Sequence, residues 1–461
     1  MPTHPHPGRI LFAALPSAGL INPLLAVAAE LAERGVDDLW FASTDDRRDD
    51  VAALPGTGPV RFVSFGRYKP ELDPTKWDDA VLRSMAGPSR LRSFAAFITR
   101  NIDHGYADQQ YRRALAVLDQ VRPALAVIDL CTPWAIDAAM TRRIPYVLTV
   151  PVPVSGVYSE RLPWSYPTPF SGLPAAMTTT QRIANVLFRI GTRGVLLRPG
   201  TLLPMVAAAR RRKAAGVRNP AALPSRYADA AAAVLVTSIF GLEVPFPVDD
   251  RVRMVGPIVR SEEDGIPAGS ELGAWLAAHP SVVYVGLGTI ARVSQRQVAG
   301  VLELAARLGP EHHVLWKLPR DQQRLLPAEL PPNLRVESWV PSQLGVLAHP
   351  SVRVFVNHGG GNAVHEALAF GKPQVVMPFW MDCHDLAARV TEAGAGRTVP
   401  YAAQDLGDRL TDAVTTVLRE DRYARRAEFW AGELRAAGGV RAAADVVLAE
   451  RDRGRNAQSV G

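Results

Sequence analysis

Between Val354 and Ala387 the chain reads VFVNHGGGNAVHEALAFGKPQVVMPFWMDCHDLA, and this stretch limits the fold more than any other. An apolar run, a glycine turn, a helical pattern with a polar start and a second apolar run follow in close succession, which is the spacing of a βαβ unit. Such a unit implies a parallel sheet with helices on its faces. The turn also carries chemistry. HGGGN brings backbone N–H groups and the His358 imidazole to a helix N-terminus, where the helix dipole favours an anion. Glu366 follows about two helical turns on, on roughly the same face, where its carboxylate could accept hydrogen bonds from ribose hydroxyls. The pattern fits a nucleotide-sugar pocket; the plainer account is a βαβ unit whose glycines only tighten a turn.

The βα rhythm extends along the chain. Ile10 to Leu15, Ala124 to Ile128, Tyr146 to Val150 and Ala232 to Ser238 are short apolar runs that predict strands, with helical patterns between them. Asn22 is the expected N-cap of the first helix, with Pro23 at its first position and Gly35 closing it. Pro151 to Arg226 reads as an irregular, proline-broken insertion of the kind that carries ligand contacts. A second series begins at Ser281, with strands expected at Val282 to Leu287, His313 to Lys317, Leu334 to Ser338, Val352 to Asn357 and Gln374 to Pro378. A final helix is expected over Ala424 to Ala443. The fold class is therefore α/β, with domains expected at 1–243 and 271–423, a linker at 244–270 and a terminal helix and tail at 424–461.

Bulk properties agree with this. A chain of 461 residues suits two or three domains, and 48% hydrophobic residues can fill their cores. No run approaches the ~20 apolar residues of a membrane span. The N-terminus lacks the basic and apolar regions of a signal peptide, so a cytoplasmic location is expected. Cys131 and Cys383 are the only cysteines and define neither a disulfide framework nor a metal site. The net charge of +7 suits anionic ligands. No nucleic-acid motif accompanies it. Its densest run, Arg210 to Lys213, lies near several leucines; a solvated helix face and a peripheral membrane contact both account for it.

Two further motifs carry a resemblance. Trp339-Val340-Pro341 precedes the glycine turn and PFWMD, Pro378 to Asp382, follows it. With the turn, these resemble the C-terminal signature of the UDP-glycosyltransferase superfamily, inverting enzymes built from two facing Rossmann-like domains (the GT-B fold). The likeness runs from about Arg9 to Ala443 and suggests the bacterial natural-product type. It implies an acceptor-binding first domain, a second domain that binds a UDP- or TDP-sugar, no metal or other cofactor, and a last helix that returns to the first domain. Thr289, His358, Gly360, Asn362 and Ala363 match the phosphate-binding positions. Trp339 and Val340 match the base-binding segment, and Glu366 the ribose carboxylate. Gln343 stands one position from the usual glutamine, and Asp382 and Cys383 occupy the sugar-binding loop, where the family commonly has Asp-Gln. A thiol is a weak hydrogen-bonding group, so a deoxysugar or other modified sugar is expected in place of glucose.

The larger departure lies in the first βα turn. The family carries its catalytic histidine there in a GH-x-x-P context, whereas this chain reads Gly19-Leu20-Ile21-Asn22-Pro23. Leucine accepts no proton. Asp129, at the end of a strand, matches the carboxylate that usually orients the histidine and is the candidate base; His384 is a weaker one. An aspartate there can equally cap a helix. An acceptor that ionises easily would need no strong base. Trp164, Tyr166 and Phe170, with Leu20, are candidate acceptor contacts toward a small, apolar natural product, although the aromatics suit a core equally well. Two other readings stay open: a catalytically silent relative that binds nucleotide or supports a partner, and a GT-B fold turned to another reaction.

Overall fold

The computed structural model describes residues 8–56, 58–101, 104–259 and 265–459; parts of the expected linker and tail lie outside these. The first sheet contains β1 (Ile10–Ala13), β2 (Leu39–Ser43), β3 (Arg61–Ser64), β4 (Leu125–Asp129), β5 (Tyr146–Val150), β6 (Ala233–Val236) and β7 (Val252–Met254). Their order is β3-β2-β1-β4-β5-β6-β7. The second contains β8 (Val282–Gly286), β9 (His313–Lys317), β10 (Leu334–Glu337), β11 (Val352–Asn357), β12 (Gln374–Val376) and β13 (Gly396–Thr398), in the order β10-β9-β8-β11-β12-β13. All the pairings between these strands are parallel. The central strands β1, β4, β5, β8 and β11 are apolar and almost wholly buried, as a sheet covered on both faces requires.

Each sheet reverses its strand order once, between β1 and β4 in the first and between β8 and β11 in the second. At such a reversal the connections diverge to opposite faces and leave a crevice beyond the carboxyl ends of the strands. The two crevices confront each other. A Cβ placed on Gly361, just past β11, would come within 2.8 Å of the Pro151 carbonyl just past β5. His365 Nε2 lies 2.9 Å from Ser238 Oγ across the same boundary.

Four expectations need correction. The first helix spans Ala18–Glu33 with Ser17 before it, so Asn22 is not its cap and Pro23 lies inside it. The N–H groups of Leu20 and Ile21 already bond to the Ser17 carbonyl, closing the first turn without help from Asn22. The segment expected as irregular holds two long helices, Thr179–Leu197 and Pro199–Ala214. Thr178 and Gln181 form a reciprocal capping box at the start of the former. Proline at the first position of the latter removes an N–H that no helix bond needs. The stretch read as linker contributes β7, which extends the first sheet.

The expected final helix is two, Asp421–Ala436 and Gly439–Ser459. Gly438 and Gly439 both have positive φ and turn the chain, and the Gly439 N–H bonds to the Val255 carbonyl at 2.7 Å. The first of these helices packs Trp430 and Leu434 with Val364 and Leu368 of the second domain. The second helix packs Ala443, Ala444 and Val447 with Ile10, Phe12 and Leu24 of the first. Among the described residues no helix is long and apolar enough to cross a membrane.

Candidate active site

The second crevice is built around the turn after β11. Asn357 fixes that turn from within the sheet: its amide donates to Gln374 Oε1 at 2.7 Å and its Oδ1 accepts the Gly359 N–H at 2.9 Å. Gly359 has a φ of +82°, and a side chain there would come within 2.8 Å of the Cys383 carbonyl. Only glycine meets both conditions. The His358 ring is wedged between two more glycines: a Cβ on Gly288 or Gly360 would approach it to 2.5 or 2.4 Å. Burial, assisted by the Lys317 charge, lowers the His358 pKa to about 4. The imidazole is therefore neutral near pH 7 and carries one N–H. Its Nδ1 is buried without a partner.

Helix Gly361–Ala369 starts at this point, with no side-chain cap and no acidic residue in its first turn. Its leading N–H groups keep the positive end of the dipole open toward the crevice. Asn362 is half-buried at that start and Ala363 is buried against Leu272 and Leu276. Thr289 is exposed in the turn after β8, across the strand-order reversal from His358.

A polar chain continues along the same helix. Glu366 accepts a 2.7 Å hydrogen bond from Gln343 Nε2, and Tyr284 donates to Gln343 Oε1 at 3.5 Å. Burial raises the Glu366 pKa, opposed by the Gln343 bond and by Lys317. Gln343 thus spends its amide on orienting Glu366. Trp339 is 64% exposed and lies beneath the Lys317 ammonium, 5.1 Å from its ring centre. That exposure removes the core-packing account of the tryptophan and leaves its face open. Val340 is buried behind it.

The segment that carries Asp382 and Cys383 leaves β12 through Phe379 and Trp380. Met381 has a φ of +41°, a left-handed conformation uncommon for a side chain of its size. Asp382 is half-buried, and burial together with Asp385 raises its carboxyl pKa to about 7. Cys383 is 2% exposed and belongs to the hydrophobic core, so its thiol packs inward.

In the first crevice, Asp129 ends β4 fully buried. Its Oδ1 accepts the Cys131 N–H at 2.8 Å, while Oδ2 has no partner. Helix Pro133–Arg142 begins four residues later and takes no side-chain cap. Asp129 is therefore not the N-cap. Burial raises its pKa to about 8, against the single opposing N–H. Leu20 is half-buried in the first turn of helix Ala18–Glu33. The Cys131 thiol is raised by burial and by the charges of both Asp129 and Asp382, which brings one carboxylate from each domain to bear on the same point.

The aromatic residues expected to form one acceptor wall are not together. Trp164 is at the surface between the guanidiniums of Arg189 and Arg193, 5.2 and 4.9 Å from its ring centre. Tyr166 is buried and donates to the Val244 carbonyl at 3.0 Å. Phe170 packs 6.0 Å from Phe94, and its N–H bonds to Asp385 at 2.6 Å. A different set lies beside Cys131. Tyr68, Tyr106 and Trp134 form an edge-to-face chain at 6.1 and 5.9 Å, and the Trp134 indole N–H is buried without a partner. Sequence reasoning missed these three; for Trp134 the signal was its place at a helix start just past a buried strand.

Between the domains, Asp385 accepts the N–H groups of Phe170 and Gly172 at 2.6 and 2.8 Å, and Glu392 accepts that of Ala175 at 2.6 Å. His384, beside them, is lowered to about 4 by burial and the nearby Arg90 charge. Trp380 meets Trp77 and Phe97 of the first domain edge-on at 6.1 and 5.7 Å.

Known proteins share this fold. The chain is similar in fold to the "glycotransferase of kitacinnamycin", with a TM-score of 0.69 and 24% identity over 97% of this chain and 100% of that one. The calicheamicin glycosyltransferase CalG4 gives a TM-score of 0.65 and 22% identity over 97% and 99% of the two chains. In sequence, the chain is 25% identical to Arabidopsis thaliana UDP-glycosyltransferase 74C1 over 81% of both proteins. It is 29% identical to rat UDP-glucuronosyltransferase 2B15 over 42% of this chain and 35% of that protein. The chain spans 35%, 34% and 35% of the length of three of the mammalian relatives it matches. The family model described as UDP-glucoronosyl and UDP-glucosyl transferase matches residues 118–428, a span that takes in Asp129, the turn after β11 and the Asp382 loop. With both crevices in place and that model covering well over half of the sequence, the chain belongs to the UDP-glucoronosyl and UDP-glucosyl transferase family.

Proposed function

We propose that the protein is an inverting glycosyltransferase that moves a sugar from a UDP- or TDP-sugar to a small, largely apolar natural-product acceptor. The observation that carries this reading is the opposition of two unlike crevices. One offers an uncapped helix start, a neutral imidazole and an oriented carboxylate; the other holds a carboxylate with an unpartnered oxygen.

In the second crevice the diphosphate sits at the start of helix Gly361–Ala369, with His358, Gly360, Asn362, Ala363 and Thr289 around it. Glu366, held by Gln343, accepts from the ribose, and the base stacks on Trp339. Asp382 accepts from the sugar. With Cys383 turned into the core, this loop lacks the second polar side chain of a glucose-binding pair, which supports a deoxysugar or otherwise modified donor. The acceptor hydroxyl lies toward Asp129, along Tyr68, Tyr106 and Trp134.

In the transfer, the acceptor oxygen attacks the anomeric carbon as its proton passes to Asp129 Oδ2. The bond from that carbon to the diphosphate oxygen breaks, and the electron pair leaves with the nucleotide. The helix dipole and His358 stabilise the charge that develops there. Leu20 supports a second reading, a relative that binds nucleotide without turnover. Calorimetric titration with UDP and TDP, beside His358→Ala, tests the donor site. Binding by the parent alone supports it, whereas no binding of either nucleotide sinks the transferase reading. Turnover that survives Asp129→Asn unchanged removes Asp129 as the base.

A further inference from the structure

Helix Thr179–Leu197 is inverted with respect to an ordinary surface helix. Two of its three buried residues are polar, with Val195 the third: Asn185 accepts the Thr168 N–H at 2.7 Å and donates to the Tyr166 carbonyl at 2.9 Å. Arg189 bonds to the carbonyls of Pro163 and Tyr166 at 2.9 and 3.0 Å. Its outward face is apolar. Ile183, Leu187, Ile190 and Leu197, at helical spacing, are each more than half exposed, and Leu203 on the next helix continues the stripe. A globular helix buries such a stripe.

The charge around it is one-sided. From Arg161 to Ala228 the chain has eleven Arg and Lys residues and no Asp or Glu, and only Arg161, Arg211 and Arg212 among the described ones pair with carboxylates from outside it, Asp229, Asp108 and Asp137. Among the described residues Arg182, Arg193 and Arg198 have no acidic partner. Trp164, 48% exposed beside Arg193, adds an amphipathic ring of the type that settles at lipid headgroups.

We propose that this face is a peripheral membrane-binding surface for anionic lipid bilayers. The leucine and isoleucine side chains enter the acyl boundary, and the surrounding arginines meet lipid phosphates. A second copy of the chain fits less well, because its own basic rim would oppose the first.

The test is co-sedimentation of the full chain with phosphatidylcholine vesicles, with and without phosphatidylglycerol. Binding is expected with phosphatidylglycerol and should weaken as salt rises. The double variant Leu187→Glu/Ile190→Glu should cut the bound fraction about tenfold or more. Arg193→Glu/Arg198→Glu should do so without altering the apolar stripe. Both pairs lie outside the proposed nucleotide site, so unchanged UDP affinity and melting temperature identify a folded protein. Failure to bind anionic vesicles, equal binding to both vesicle types, or indifference to both variants would overturn the proposal. A dimer seen in sedimentation velocity and abolished by the Leu187/Ile190 variant, without vesicle binding, would assign the face to a second copy instead.

Discussion

The two crevices share one topology and differ in what fills them. In the second domain, the proposed nucleotide recognition rests on backbone: a glycine turn held by Asn357, an uncapped helix start and a ring wedged between two glycines. The first domain also starts helices Ala18–Glu33 and Pro133–Arg142 without a side-chain cap, but its proposed chemistry depends on side chains brought from separate segments, Asp129, Tyr68, Tyr106 and Trp134. A backbone site suits a ligand part common to many donors, the diphosphate. A side-chain site can change with its acceptor while the sheet beneath it stays the same.

Substitutions can break this contrast or sharpen it. The largest effect is expected at Asp129. Asp129→Asn keeps the size of the side chain but removes the proton acceptor, and kcat should fall roughly 10²- to 10⁴-fold with little change in UDP affinity. The parent kcat/KM should rise with pH toward about 8, as Asp129 ionises, and the variant should lose that limb. Stability gives a second readout. The folded pKa lies above the ordinary carboxylate value, so the folded protein holds a proton that the unfolded chain has already released. Stability should therefore decline from the ordinary carboxylate range up to about pH 8, and Asp129→Asn should flatten that decline in denaturation midpoints.

His358→Ala comes next, on the other side of the contrast. It removes a donor to a charged phosphate, worth about 1.5–3 kcal/mol, and should weaken UDP binding on the order of tenfold to a hundredfold by calorimetry. Asp385→Ala strips two N–H groups of their acceptor at the domain boundary. A loss of about 2–3 kcal/mol in unfolding free energy is expected, with the acceptor KM rising more than the UDP Kd. The smallest effect belongs to Gln343→Ala, which releases Glu366 without deleting it. A loss of about 1 kcal/mol in nucleotide affinity is expected; a loss as large as that of His358→Ala would mean that Gln343 contacts the nucleotide itself.

The same contrast accounts for what could be read from the sequence. The strand pattern and the HGGGN turn were legible because glycine, apolar alternation and strand-to-helix spacing act through neighbouring residues. The proposed acceptor side was not, because Tyr68, Tyr106 and Trp134 come from three segments that only the tertiary fold unites. Trp164 and Phe170 misled for the same reason: an aromatic residue in a loop gives no hint whether arginines or a neighbouring domain will cover it. Helix Thr179–Leu197 of the insertion was hidden by its inversion, since outward leucines and an inward arginine do not look like a surface helix.

The return of helix Gly439–Ser459 has a consequence for how the protein is made. Ala443, Ala444 and Val447 complete a core whose other half, Ile10, Phe12 and Leu24, leaves the ribosome before any of the second domain. The first domain must therefore wait, with part of its apolar interior uncovered, until the whole second domain has been translated. For this chain a late truncation is an early folding defect.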